Sequence, residues 1–250
     1  MSLVRAEEPE PGLHLLTLED PDRRNAMGPA MAAELKDAIT AASAAQGLRM
    51  LAVTGAGGAF CAGADLPAMF DAPDRPVPET RDFLRGYYDA FLALRDVPAP
   101  TVAAVDGPAV GAGLNLALAC DVRIVSERAK LGATFAKIGL HPGGGCTWFL
   151  VKALGPQRTL QLLADGETLD AATACELGLA DGPVDDPVAR VRAWYGELAD
   201  RDTRLLRDLA VTTRLAADGA SLDTVVEHEA WCQAASTESE TLAAWVAKFR

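Results

Sequence analysis

The sequence predicts an α/β chain with an all-helical tail, and three observations predict it. Short apolar runs that end in glycine alternate with segments of helical periodicity as far as about residue 185. From about residue 187 the texture changes to four helical segments with no strand candidate. Half of the 250 residues are hydrophobic and only 6% are aromatic, which supplies one sizeable core packed closely through small residues.

The elements follow in order. GLHLLTLED (12–20) reads as a strand that ends in a turn. PDRRNAMGPAMAAELKDAITAA opens irregularly and becomes an amphipathic helix, with Met31, Leu35, Ala38 and Ile39 on one face. RMLAVTG (49–55) is a buried strand running into the glycine-rich loop GAGGAFCAGADL. ETRDFLRGYYDAFLALR (79–95) is helical, and Pro98 and Pro100 stop it. TVAAVDG (101–107) is a second buried strand, GAGLNLALA (111–119) a short helix and CDVRIVS (120–126) a third strand. Residues 146–154 and 170–177 read as helix.

Bulk properties exclude several function classes. A formal charge of −12 argues against nucleic acid or an anionic membrane as partner, because both require a positive field. A small polyanionic ligand needs only a local basic patch. The five cysteines are scattered and odd in number, with no CxxC, the pattern of reduced thiols in a cytoplasmic protein. They offer no metal site. MSLVRAEEPEPG lacks the apolar centre of a signal peptide, and PAVGAGLNLALAC falls short of the roughly 18 residues of a membrane span.

Neither glycine-rich loop carries a complete phosphate-binding motif. GAGGAF (55–60) starts like a dinucleotide fingerprint, but Phe60 stands where the third glycine belongs. GGGCT (143–147) lacks the lysine of a P-loop. Taken together, two loops point elsewhere. GAFCAGADL and GPAVGAGLNLALACD each follow a buried strand and place small residues just before a helix. Backbone N–H groups at a helix start are unpaired and sit at the positive end of the dipole. Two of them aimed at one spot would stabilise an oxyanion.

Five segments in order, PDRRNAM, GAFCAGADL, DGPAVGAGLNLALACD, KIGLHPGGG and GETLDAATACELGLAD, resemble the crotonase superfamily of enoyl-CoA hydratases and isomerases. The resemblance implies a spiral of ββα repeats over residues 1–190 and a helical region, 191–250, used for trimerisation. It implies a homotrimer or a dimer of trimers. It also implies an acyl-CoA ligand, with no cofactor beyond the CoA of the substrate, and a thioester carbonyl held between the N–H groups of Ala64 and Ala112. Many members have glycine at the second place; alanine keeps the N–H. Arg23, Arg24, Asn25, Ala62, Asp65, Leu66 and Lys248 match positions around the CoA. Met69, Phe83, Phe135 and Leu140 match the acyl pocket.

The chain departs from the family pattern at the acid–base positions. The two glutamates of a hydratase of this family fall on Asn115 and Phe135. Neither takes up a proton at neutral pH, although Asn115 still offers hydrogen bonds. His141, in GLHPGGG, has two readings: a general base or acid of near-neutral pKa, or a residue that orients the turn into the next helix. Three functions stay open: a hydratase or isomerase reaction run without the glutamates, a different reaction such as decarboxylation, and non-catalytic acyl-CoA binding. Asp65 is expected to cap the helix after it, and Asp121 to be structural.

Overall fold

Three apolar runs make the middle of the main sheet. They are β3 (Met50–Gly55), β4 (Thr101–Val105) and β6 (Val122–Ser126), which pair in parallel in that order. The structure is a computed structural model that describes residues 2–72 and 74–249. β2 (Leu13–Leu18) extends the sheet on one side, parallel to β3, and β9 (Asp181–Val184) extends it on the other, beside β6. β1 (Val4–Glu10) closes the first edge, antiparallel to β2.

That edge strand carries no apolar alternation that would mark it in the sequence. Its sequence, VRAEEPE, reads as an acidic surface segment, and it is mostly exposed. Its charges serve an edge: they discourage pairing with a further strand. A second, smaller sheet joins β5 (Pro108–Val110), β7 (Lys130–Gly132) and β8 (Thr168–Asp170). These strands are three residues each, too short for a periodic signal in the sequence.

The helices are α1 (Pro29–Ala44), α2 (Leu66–Met69), α3 (Val77–Leu92), α4 (Ala112–Ala119), α5 (Cys146–Asp165) and α6 (Ala171–Glu176). The helix expected over 79–95 stops at Leu92 and tightens into a 3-10 turn, Ala93–Asp96. The one expected over 146–154 runs on to Asp165 across a kink at Gly155, whose φ of 75° and ψ of 167° precede Pro156. α4 is apolar on every side apart from Asn115 and all eight residues are buried, so it sits inside the molecule.

Four helices follow, as the sequence predicts: α7 (Pro187–Glu197), α8 (Thr203–Ala217), α9 (Leu222–Ser236) and α10 (Glu240–Ala247). α7 belongs with the sheet. Its Val191 and Tyr195 pack on Leu13, Met50, Ala52, Val102, Ala104 and Ile124, closing the face opposite the main core. α9 and α10 carry exposed apolar side chains, among them Leu222, Val226, Trp231 and Trp245, and Phe249 after α10 is exposed too. Among the described residues no helix is long and apolar enough to cross a membrane.

Candidate active site

Two loops meet at the start of α4. The first, after β3, runs along the β5 segment: Cys61 donates its N–H to the Pro108 carbonyl at 2.9 Å, and Val110 donates back to the Cys61 carbonyl at 3.0 Å. On its other side the same loop pairs with Met27, which donates to Gly63 at 2.8 Å and accepts from Asp65 at 3.1 Å. The second loop is pinned by the Gly111 N–H, which donates to the Gly132 carbonyl at 2.9 Å.

These bonds skip Ala64 and Ala112. Neither N–H has an acceptor among the described residues. Ala112 is the first residue of α4, so no carbonyl of that helix can reach it. Each alanine follows a glycine of positive φ: Gly63 at 113° and Gly111 at 55°. Such angles turn the next N–H out of the local ladder, and only glycine adopts them cheaply. The loops are also close. A Cβ built on Gly63 would lie 2.9 Å from the Val110 oxygen and 4.0 Å from the Ala112 nitrogen.

Phe135 flanks this spot. Its ring would lie 3.8–3.9 Å from a Cβ on Gly111, and the side chain is half-buried. Asn115 is on α4 one turn after Ala112 and is 2% exposed. Its Nδ2 donates to the Gly143 carbonyl at 2.9 Å, while its Oδ1 is buried with no donor among the described residues. Since a carbonyl only accepts, that bond fixes which end of the carboxamide is nitrogen. Asn115 thus ties α4 to the glycine turn before α5.

His141 lies on this turn but is exposed. Its Nδ1 is 2.8 Å from the Pro142 carbonyl, so Nδ1–H donates there and Nε2 keeps the free lone pair. Leu140 is 38% exposed and donates its N–H to the Phe135 carbonyl at 3.0 Å.

The residues matched to CoA positions divide into two kinds. Arg23 is exposed and paired with Asp65 at 2.6 Å and Asp20 at 2.8 Å, and Arg24 is exposed with φ 52°. Leu66 is 40% exposed on α2. Asn25 differs from expectation. It is fully buried, donating Nδ2 to the Ala56 and Ala59 carbonyls at 2.9 and 2.7 Å and accepting from the Asp20 N–H at 2.9 Å. Its side chain is a clamp on the loop, with no end left for a ligand. The Ala62 N–H is likewise taken, by the Arg24 carbonyl at 3.0 Å. Asp65 caps α2 as expected, accepting from Ala68 N–H at 3.4 Å. Lys248, just after α10, lays its ammonium 4.1 Å from the ring centroid of Trp245 on that helix. Met69 is 1% exposed and lies in the core, whereas Phe83 is half-buried under the Arg75 guanidinium at 4.4 Å.

Sequence reasoning missed Tyr88. It stands on α3 with its hydroxyl against Gly143, where an added Cβ would meet the oxygen at 2.1 Å. The Tyr88 ring packs on Phe91, with centroids 6.2 Å apart. Partial burial pushes its phenol up from the usual value. The doublet Tyr87–Tyr88 in the helical segment was the available signal. Cavities of about 320 and 440 Å³ lie away from this region, beside Leu48 and Arg207 and between α8 and α9. Among the described residues no group of three or more His, Cys, Asp or Glu could hold a metal ion.

The family model for enoyl-CoA hydratase/isomerase matches residues 8–248. The chain belongs to the enoyl-CoA hydratase/isomerase family. It is 45% identical over 215 residues to the probable enoyl-CoA hydratase EchA14 of Mycobacterium tuberculosis, covering 86% of this chain and 82% of that one. To the 1,2-epoxyphenylacetyl-CoA isomerase of Escherichia coli it is 36% identical over 202 residues, covering 80% and 74%. A Thermobifida fusca protein described as an enoyl-CoA hydratase, solved in complex with acetoacetyl-CoA, superposes with a TM-score of 0.83 at 31% identity, over 94% of this chain and 95% of that one. The enoyl-CoA hydratase/isomerase fold is therefore the fold of this chain, and the strand-rich core with a helical end is its expected form.

Proposed function

We propose that this chain binds an acyl-CoA thioester and stabilises its enolate between the N–H groups of Ala64 and Ala112. The observation that carries this reading is the pair of unpaired donors on adjoining loops, each turned out by a glycine of positive φ. Chemistry at the carbon next to a thioester gathers negative charge on the thioester oxygen. Fixed donors meet that charge with little reorganisation, and each contributes on the order of 3 kcal/mol. Acyl-CoA as the ligand class agrees with the relatives' names and with the acetoacetyl-CoA in the Thermobifida fusca complex.

The reaction runs without the two usual glutamates. Asn115 and Phe135 hold no titratable proton near neutrality, so a water-activating pair is absent from those positions. His141 Nε2 is the remaining candidate base on the turn, and a decarboxylation asks for none, because loss of carbon dioxide forms the enolate directly. Non-catalytic acyl-CoA binding is the second reading, favoured by the engagement of Asn115 in a structural bond to Gly143. The exposed apolar residues of α9 and α10 support assembly as a trimer or a dimer of trimers, with 191–250 as the assembling region.

Incubation with a panel of acyl-CoAs in heavy-oxygen water, read by mass spectrometry, separates these readings. Labelled hydroxyacyl-CoA from crotonyl-CoA that disappears in His141→Ala would establish hydration through that base. Turnover of a malonyl-type thioester alone would establish decarboxylation. Every panel member bound and unchanged would leave a binder.

A further inference from the structure

The Ala64 N–H is aimed by Met27, on the far side of its loop. Met27 forms a parallel bridge with Ala64: its N–H donates to the Gly63 carbonyl at 2.8 Å, and its carbonyl accepts from the Asp65 N–H at 3.1 Å. The Gly63 carbonyl and the Ala64 N–H belong to one planar trans peptide, so they point in opposite directions. With that carbonyl held by Met27, the Ala64 N–H faces the other way, to the side where Val110 and Ala112 lie. Gly63, at φ 113°, would otherwise leave the peptide free to turn.

We propose that Tyr87 is a positioning residue that aims the Ala64 N–H through Met27. This rests on the acyl-CoA reading above. Tyr87 stands on α3, is 7% exposed, and donates its hydroxyl to the Met27 carbonyl at 3.0 Å. That carbonyl therefore uses both of its lone pairs, one on the Asp65 N–H and one on Tyr87. The second bond restrains the Met27 peptide from an element outside both site loops. Burial pushes the Tyr87 phenol far above its usual value, so it keeps the proton that it donates.

The ring itself is held in place. It meets Tyr88 and Phe91 edge-on, with centroids 6.1 Å apart in each case. These contacts survive in Tyr87→Phe, and the Met27 carbonyl keeps the Asp65 N–H, so the variant leaves no buried acceptor unpaired. What it removes is one of two restraints on Met27. A residue that served the core alone would lose stability on this change and leave a bound thioester as it was. A positioning residue alters the polarisation of the thioester carbonyl, because donors aimed at that oxygen draw charge onto it and weaken the C=O bond.

Infrared difference spectroscopy of the whole chain with butyryl-CoA, labelled with heavy carbon at the thioester carbonyl, reads that polarisation. In the native protein the bound carbonyl is expected below the frequency of free butyryl-CoA. In Tyr87→Phe it should move back towards the free value, while affinity changes by less than about threefold, the low end of the worth of a neutral hydrogen bond. Tyr87→4-aminophenylalanine returns a donor to the same place and should return the native frequency. An unchanged native frequency in a folded Tyr87→Phe overturns the proposal. So does a folded Tyr87→4-aminophenylalanine that shows the free-ligand frequency, a test that stands even where Tyr87→Phe fails to fold. Failure of the underlying reading looks different. A native protein that binds butyryl-CoA with no lowered frequency overturns the oxyanion assignment, one that binds none overturns the acyl-CoA reading, and this inference falls with either.

Discussion

Arg214 of α8 and Asp121, at the start of β6, form a nearly buried pair, with Nε–Oδ1 at 2.7 Å and Nη2–Oδ2 at 2.5 Å. The guanidinium also donates to the carbonyls of Arg95, Val97 and Ala99, and Asp121 accepts from the Thr101 N–H at 2.8 Å. The pair thereby seals the turn that feeds β4, and β4 leads through β5 to the first residue of α4. One side chain of the helical tail braces the strand that sets the site. Arg214→Met should cost about 3 kcal/mol in denaturant unfolding, since it leaves a buried carboxylate uncompensated. Arg214→Met with Asp121→Ala together should cost clearly less than the sum of the two. Strict additivity would show that the residues act independently.

Gly113 holds the two site loops together by having no side chain. A Cβ there would lie 2.1 Å from the Cys61 carbonyl oxygen. It would also lie 2.8 Å from the Cβ of the buried Cys61, and neither the backbone carbonyl nor that core atom yields cheaply. Gly113→Ala should destabilise the fold by about 1–3 kcal/mol through overpacking. It should also lower acyl-CoA affinity in a variant that still folds, because it pries the Ala64 loop from α4. Native affinity in that variant would detach loop spacing from binding.

Much of this was legible in the sequence because it depends on short-range rules. The buried runs at 49–55 and 101–107 had the length and composition of parallel strands, and Asp65 before Leu66 had the form of a cap. The two alanines are placed by their match to the family motifs GAFCAGADL and DGPAVGAGLNLALACD, and by nothing in the local pattern. Other features depend on distant partners. β5, β7 and β8 are defined by pairing alone. The burial of Asn25 follows from three carbonyl and amide partners up to 34 residues away, which no local pattern records. Asp121 could be read as structural, but not as the partner of a residue 93 positions on. Tyr88 was hidden for the same reason, since its significance lies in Gly143 on another element.

The thiols divide sharply by environment. Burial pushes Cys61 up to about 11, and Cys120 and Cys146 up to about 12, whereas Cys175 and Cys232 are only partly buried. A disulfide reagent at pH 8 should label Cys175 and Cys232 in the native protein and the other three only on unfolding. The linkage has one sign. Unfolded thiols ionise near pH 8.5 while the folded ones hold their protons, so stability is fully present below that pH. It should fall as pH rises from about 8.5 towards 11–12. Cys120→Ala should flatten that alkaline slope, and an unchanged slope would place its origin in other groups.

Phe135 is the position at which the proposed lack of a base can be tested. The ring is half-buried beside Gly111, one residue before the free Ala112 N–H. A carboxylate at that point could take a proton from water next to the bound thioester, with the helix start of α4 favouring its charged form. General base catalysis contributes roughly 10²–10⁴-fold when fully aligned. On the proposed reading Phe135→Glu supplies one base of a pair, so its crotonyl-CoA hydration at pH 7 should rise about tenfold over the parent, short of the range for a fully aligned base. The rate should increase with pH through the carboxyl titration, since the base works only when ionised. Phe135→Gln matches the shape and the polarity without a titratable proton. If Gln raises the rate as much as Glu does, the gain comes from wetting the pocket, and a missing base is not what limits this chain.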